Sequence, residues 1–210
     1  MSIAGTTSLA GTLWQENADL AEAALGHPFV RGIADGTLDR DRYVAYLAQD
    51  AIYLEAFARA YALALAAAPD RAGVEAFAAL IGGVRDELRL HDGVAARWGI
   101  DMAAVQPAPA TLAYTEFLLA TAATRDVGTI CAAMTPCMRL YAYLGQSLAE
   151  TAGSGPYREW IDTYAAPEFE ELARTLEGLL DRYVRDRGPA ATAYRRAMQL
   201  EVAFFDAAAG

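Results

Sequence analysis

Apolar residues recur every three or four positions along almost the whole of this 210-residue chain, and strand patterns of alternating polarity are nearly absent. A chain so patterned buries its apolar stripes by packing helix on helix, so the expected fold class is a single all-α bundle. One helix is expected from about Ser8 to Leu25. HPFVRGIADGTL (His27 to Leu38) then reads as a compact connector, with Pro28 and the Asp35-Gly36 turn signal inside it. Asp39 is placed to cap a long helix that ends before Pro69, with an apolar stripe of Tyr43, Leu47, Leu54, Phe57 and Tyr61. Asp50 falls on that same stripe. A third helix spans about Arg71 to Trp98, with Phe77, Val84 and His91 on its stripe and Gly99 as its stop. Further helices are expected from about Ala110 to Thr124, Val127 to Glu150, Tyr157 to Tyr164 and Pro167 to Arg187. A last one follows the Gly188-Pro189 break and carries Tyr194, Met198, Glu201 and Phe205 inward.

The size suits one domain over residues 1–210, with a substantial core. All 17 cationic residues are arginine, so no lysine Schiff base is available. A net charge of -10 argues against a nucleic-acid surface, which needs clustered positive charge. Charged residues interrupt every apolar run before it reaches the roughly 18 to 20 residues of a membrane span, and the first residues lack the basic segment of a signal peptide. Cys131 and Cys137 are too far apart around a helix, by roughly 120°, to form an intrahelical disulfide. A reduced, cytoplasmic protein is expected, with no nucleic-acid or membrane partner.

The stretch Thr135 to Gly145, TPCMRLYAYLG, concentrates the chemistry. Pro136 lacks an N–H, and its ring clashes with the preceding turn, so it either kinks one helix or starts a new one. In the second case Thr135 is the N-cap and Cys137 lies in the first turn, where the helix dipole favours a thiolate. In the first, the kink frees the carbonyl of Ala132. Either way a sulfur sits beside a backbone irregularity. Three helices thus each turn one reactive or ionisable group inward: Asp50, Cys137 and Glu201. The two carboxylates could pair with arginines such as Arg139 or Arg195 in a purely structural network. Two inward carboxylates with an inward cysteine point instead to a pocket, and Tyr46, Tyr53, Tyr114, Tyr141 and Tyr164 supply rings and hydroxyls to line it. Such a set supports nucleophilic chemistry, a thiolate attacking an electrophilic carbon while a carboxyl group moves the proton. The apolar neighbours Phe204 and Phe205 suit a carboxyl that keeps its proton. Metal is not expected: Glu87 and His91 are spaced i, i+4 and occur once, whereas a di-iron bundle needs two Glu-x-x-His motifs. His91 reads as a hydrogen-bonded core histidine.

The segments HPFVRGIADGTL, YLAQDAIYL (Tyr46 to Leu54), TPCMRLYAYLG, WIDTY (Trp160 to Tyr164) and LEVAFF (Leu200 to Phe205) occur in the order and at the spacings of the TenA family, which this chain resembles over nearly its whole length. The resemblance implies a haem oxygenase-like fold, a homotetramer and hydrolysis of aminopyrimidines in thiamin salvage, with no cofactor. By the same resemblance Cys137 is the nucleophile and Glu201 the acid/base. Asp50 grips the pyrimidine's nitrogens, and Tyr53, Tyr114, Tyr141 and Tyr164 stack on or hydrogen-bond the ring. Met138 and Arg139 stand where the family more often has aromatics. The rival expectation is a helical protein that binds a pyrimidine, or regulates, without turnover.

Overall fold

The computed structural model describes residues 8–98 and 104–209, and ten helices and no strand occur among them. The expected helix stop at Gly99 and the reading of Met1 to Thr7 lie outside these residues. The helices are α1 Leu9–Glu16, α2 Ala18–Leu25, α3 Pro28–Asp35, α4 Arg40–Ala67, α5 Arg71–Trp98, α6 Pro109–Thr124, α7 Val127–Ala149, α8 Arg158–Ala165, α9 Pro167–Tyr183 and α10 Arg187–Ala209. Among the described residues no helix is long and apolar enough to cross a membrane.

Helix α7 is the axis of the bundle. Every residue from Gly128 to Met138 is buried, which marks a helix enclosed on all sides. It packs against α9, α10, α8, α6 and α4, while α4 is flanked by α5 and α6. Pro136 is carried inside α7, so the restart is not realised and Asp126 caps the helix instead, accepting from the Thr129 N–H at 3.1 Å. Thr135 is no cap either. Its Oγ1 donates to the Cys131 carbonyl one turn back, at 2.7 Å.

Four expected boundaries shift, each for a local reason. The single first helix is broken at Asn17, whose backbone leaves helical geometry while its side-chain amide donates to the Leu13 carbonyl at 2.8 Å. The expected connector from His27 contains helix α3. The His27 ring Nδ1 accepts from the Phe29 N–H, Pro28 fills the first turn, and Gly36 closes the helix at φ 69°, a left-handed conformation open to glycine. Helix α9 ends at Tyr183 rather than near Arg187, and the chain turns over residues 184–186 so that α10 can return along α7. Gly188 and Pro189 lie inside the first turn of α10 instead of preceding it. The amides there have no intrahelical partner, so proline costs nothing, and the Gly188 N–H finds the Asp186 carboxylate at 2.9 Å.

One glycine matters for the site. A Cβ on Gly145 would lie 2.4 Å from the Tyr164 carbonyl carbon and 2.5 Å from the Ala165 nitrogen. Only glycine lets α7 touch the backbone of α8, and that contact sets where Tyr164 stands.

Candidate active site

The inward stripes of α4, α5, α7 and α8 meet around a narrow space. Its walls include Asp50 and Tyr53 from α4, Glu87 from α5, Cys137 and Tyr141 from α7, and Tyr164 from α8. Five of the seven residues to which the family resemblance assigned a role therefore share one cavity. The other two, Tyr114 and Glu201, stand directly behind it. They are joined to each other by a 2.6 Å hydrogen bond from the Tyr114 hydroxyl to Glu201 Oε1, and Glu201 is in hydrogen-bonding reach of the Cys137 thiol.

Burial sets the charge states here. Glu201 is buried, and desolvation lifts its carboxyl to about 8, against the pull of the Tyr114 hydrogen bond, with the Asp50 charge adding to the rise. Burial likewise pushes the Cys137 thiol well above its usual range, and the neighbouring Glu201 pushes the same way. A thiolate stabilised by a helix N-terminus is therefore not what the fold builds. Cys137 is in mid-helix, and at rest both sulfur and carboxyl hold their protons. Cys131, six residues earlier on the same helix, is fully buried away from the cavity, its thiol raised to about 12 by desolvation.

Asp50 has neither arginine as its partner. Arg139 turns away from the cavity to Glu170 and Glu177, at 2.8 and 2.7 Å, and Arg195 binds Asp19 at the surface. Asp50 Oδ2 instead meets His91 Nε2 at 2.7 Å, both side chains buried. His91 Nδ1 faces the Glu87 carbonyl one turn back at 2.9 Å. Burial opposes the charge on His91, but the hydrogen bond and the charge of Asp50, with Glu87 beside it, outweigh that and raise the imidazole to about 9. Glu87 receives the Tyr164 hydroxyl at 2.6 Å, and burial with the Asp50 charge lifts its carboxyl to about 7. Glu87 and His91 are thus part of the site, although the sequence placed His91 only as a core histidine. The signal was their i, i+4 spacing on the stripe of α5, which reads as a metal motif or a core pair until α4 is laid against it. With both ring nitrogens engaged, His91 has none left for a metal, and among the described residues no group of three potential ligands converges.

The rings are held as a rigid cage. Tyr141 and Tyr164 meet edge to face at 4.7 Å, and Tyr53 lies 4.7 Å from Tyr114. The Tyr46 and Tyr141 hydroxyls are 3.1 Å apart, and the Trp160 indole N–H donates to Tyr46 at 3.2 Å. Tyr53 is the exception. Its buried hydroxyl, near Cys137, makes no hydrogen bond of ordinary geometry. A buried hydroxyl without a partner costs stability unless a ligand supplies one. Met138 forms part of the cavity wall, so the edge where the family's aromatics are replaced is apolar and unbranched.

The TENA/THI-4/PQQC family model matches residues 14–210 of the chain. The chain is 33% identical to an aminopyrimidine aminohydrolase of Halalkalibacterium halodurans, over 96% of its own length and 95% of the other's. It is 35% identical to the bifunctional mitochondrial TH2 protein of Arabidopsis thaliana, covering 95% of this chain but 37% of that longer protein. Among solved structures it is similar to a protein described as a TenA family transcription regulator from Silicibacter, with a TM-score of 0.90 and 27% identity over 95% and 96% of the two chains. A domain from Shewanella denitrificans described as having a haem oxygenase-like fold matches at a TM-score of 0.73 and 16% identity, over 94% and 90% of the chains, and extends the likeness of fold.

Proposed function

The chain belongs to the TENA/THI-4/PQQC family, and on that premise we propose that it hydrolyses an aminopyrimidine of thiamin degradation, releasing ammonia from an aminomethyl pyrimidine and leaving the hydroxymethyl form. The observation that carries this reading is the convergence of Asp50, Cys137 and Tyr53 on one cavity, with Glu201 at the back of the sulfur. The aminohydrolase name of the Halalkalibacterium relative supports the substrate class.

In this reading Asp50 holds the ring's nitrogens and the exocyclic amine, and the faces of Tyr141 and Tyr164 flank the ring. Cys137 Sγ bonds to an electron-poor carbon of the pyrimidine as the C–N bond to the side-chain amine breaks. Glu201, protonated near neutrality, gives its proton to the departing amine and takes the one that the thiol must lose. A carboxyl raised to about 8 suits both halves of that exchange. Water then bonds to the methylene carbon as the C–S bond to the ring carbon breaks, and the proton that the water loses returns to the thiol through Glu201. Tyr114 holds the Glu201 carboxyl in place. A single domain over residues 1–210, assembled as a homotetramer in a reduced cytoplasm, belongs to the same proposal, as does cleavage of intact thiamin as a second reaction.

The purified protein is to be incubated with the aminomethyl pyrimidine and the ammonia released measured. Stoichiometric, continuing release is the expected result. Tight binding of the pyrimidine without release would instead establish a binding or regulatory protein on the same scaffold.

A further inference from the structure

Two spaces meet at the Glu87–His91 turn of α5. The inner cavity includes Asp50, Glu87 and Tyr164. An outer pocket is lined by His91, Glu87 and Tyr164 together with Tyr43, Trp160 and the exposed Glu159. Asp50 lines the inner space and not the outer, and His91 the outer and not the inner. The wall between them is one hydrogen bond thick, the 2.7 Å contact from His91 Nε2 to Asp50 Oδ2.

That contact holds a proton by necessity. The Glu87 carbonyl can only accept, so the His91 Nδ1 facing it at 2.9 Å carries a hydrogen. Nε2 then meets a carboxyl oxygen, and two bare lone pairs at 2.7 Å would repel. Either Nε2 is protonated against a carboxylate, or the carboxyl is protonated against a neutral imidazole. One mobile proton lies between cavity and outer pocket in both cases. The titratable groups around it are Asp50, Tyr43 and Tyr46 from α4, Glu87 from α5, Glu159 and Tyr164 from α8, and, on the far side of Asp50, Cys137 and Tyr141 from α7 and Glu201 from α10.

We infer that His91 is the proton reservoir of Asp50, supplying the proton that Asp50 passes to a pyrimidine ring nitrogen and recovering it from the outer pocket. This rests on the proposed aminopyrimidine reaction and adds to it a positioning residue that touches no substrate. The Nε2–H bond breaks as an O–H bond forms on Asp50. The carboxyl turns about Cβ–Cγ and yields the hydrogen to the ring nitrogen, leaving a cationic pyrimidine, a carboxylate and a neutral imidazole. Total charge is unchanged, so the buried site pays no new desolvation cost. The cationic ring is the better electrophile for Cys137. After product leaves, His91 is reprotonated from the outer pocket without the cavity opening.

The chain has two histidines, so ¹⁵N-histidine spectra are tractable, and the His91→Gln variant identifies which signals are which. The hydroxymethyl pyrimidine is the probe, because binding it needs no turnover. In the free protein both His91 ring nitrogens should be protonated, and with the pyrimidine bound one should move to the neutral range. Signals that stay cationic or stay neutral in both states, or failure of the pyrimidine to bind, overturn the inference. The kinetic arm uses the same variant. Glutamine can keep an N–H toward Asp50 but cannot titrate, so affinity for the pyrimidine should stay within about threefold while turnover falls by roughly 10²-fold or more. The alkaline limb of the pH-rate profile that His91 produces should also disappear. Wild-type turnover in His91→Gln, or an equal loss of binding and turnover, overturns the relay and leaves only a structural hold. Absence of ammonia release by the wild-type protein defeats the proposed reaction instead, and the spectra then still decide the proton transfer on their own.

Discussion

At the scale of the residue, the two cysteines are a natural control pair on one helix. Cys137 lines the cavity, whereas Cys131 is fully buried behind it with its thiol raised to about 12. Cys137→Ser is expected to abolish ammonia release while leaving a folded protein. Cys131→Ser should retain turnover and lose some stability, since it places a hydroxyl in the core. The reverse pattern in the same assay would remove Cys137 as nucleophile. Glu201→Gln keeps size and hydrogen bonding but loses the proton, so turnover should fall by about 10² to 10⁴-fold with pyrimidine affinity little changed. Glu201 acts in its protonated form, which is lost as pH rises through about 8, so the wild-type rate should fall there and the variant should lose that limb.

At the scale of the element, close approach matters more than helix propensity. Gly145 on α7 faces the backbone of α8, and backbone cannot move aside as a flexible side chain can. Gly145→Ala should cost about 1–3 kcal/mol or more by overpacking, lowering Tm by several degrees, and should also slow turnover because Tyr164 is displaced. Gly82, inside α5, offers the contrast: a Cβ there meets nothing within 4 Å. Gly82→Ala should raise stability by up to about 1 kcal/mol through helix propensity alone. Thermal unfolding of the two variants beside wild type checks both signs. The sequence pattern could not separate these glycines, because both sit in helical stretches and only the neighbouring helix distinguishes them.

For the whole molecule, the buried site makes stability depend on pH in one direction above the acid range. Glu201 and Glu87 titrate at about 8 and 7 in the fold, against 4.5 when exposed, so the native state keeps protons that the unfolded chain has released. Stability falls as pH rises through that interval. His91, raised from 6.5 to about 9, contributes stability that is complete below 6.5 and lost as pH climbs through 9. Below about pH 4 the partnered carboxylates Asp70, Asp126 and Glu170, held lower than usual mainly by hydrogen bonds, lose their contribution as they protonate. Tm should therefore peak near about pH 5 and decline steadily to pH 9, with a shallower decline in Glu201→Gln. Unfolding curves in buffers of matched ionic strength read this directly, and a flat profile from pH 5 to 9 would contradict it.

The helical period by itself determined the fold class and the inward faces, because a 3.6-residue repeat tells which side of a helix must leave water. That was enough to turn Asp50, Cys137 and Glu201 inward, while Tyr46, Tyr53, Tyr114, Tyr141 and Tyr164 were candidates to line a pocket with them, four of them named by the family resemblance. The period says nothing about which face meets which, and only the tertiary structure decided the partners. It gave Asp50 to His91, 41 residues on, rather than to Arg139, and Glu201 to Tyr114, 87 residues back. Pro136 was equally ambiguous from the sequence, since its missing N–H suits a helix start or an interior site. The burial of α7 on every side carried the helix through. The charge states belong to the assembled core too: desolvation needs all the surrounding helices in place, so a Glu201 that keeps its proton near neutrality, and a Cys137 thiol harder to ionise than a free one, exist only once the bundle has closed.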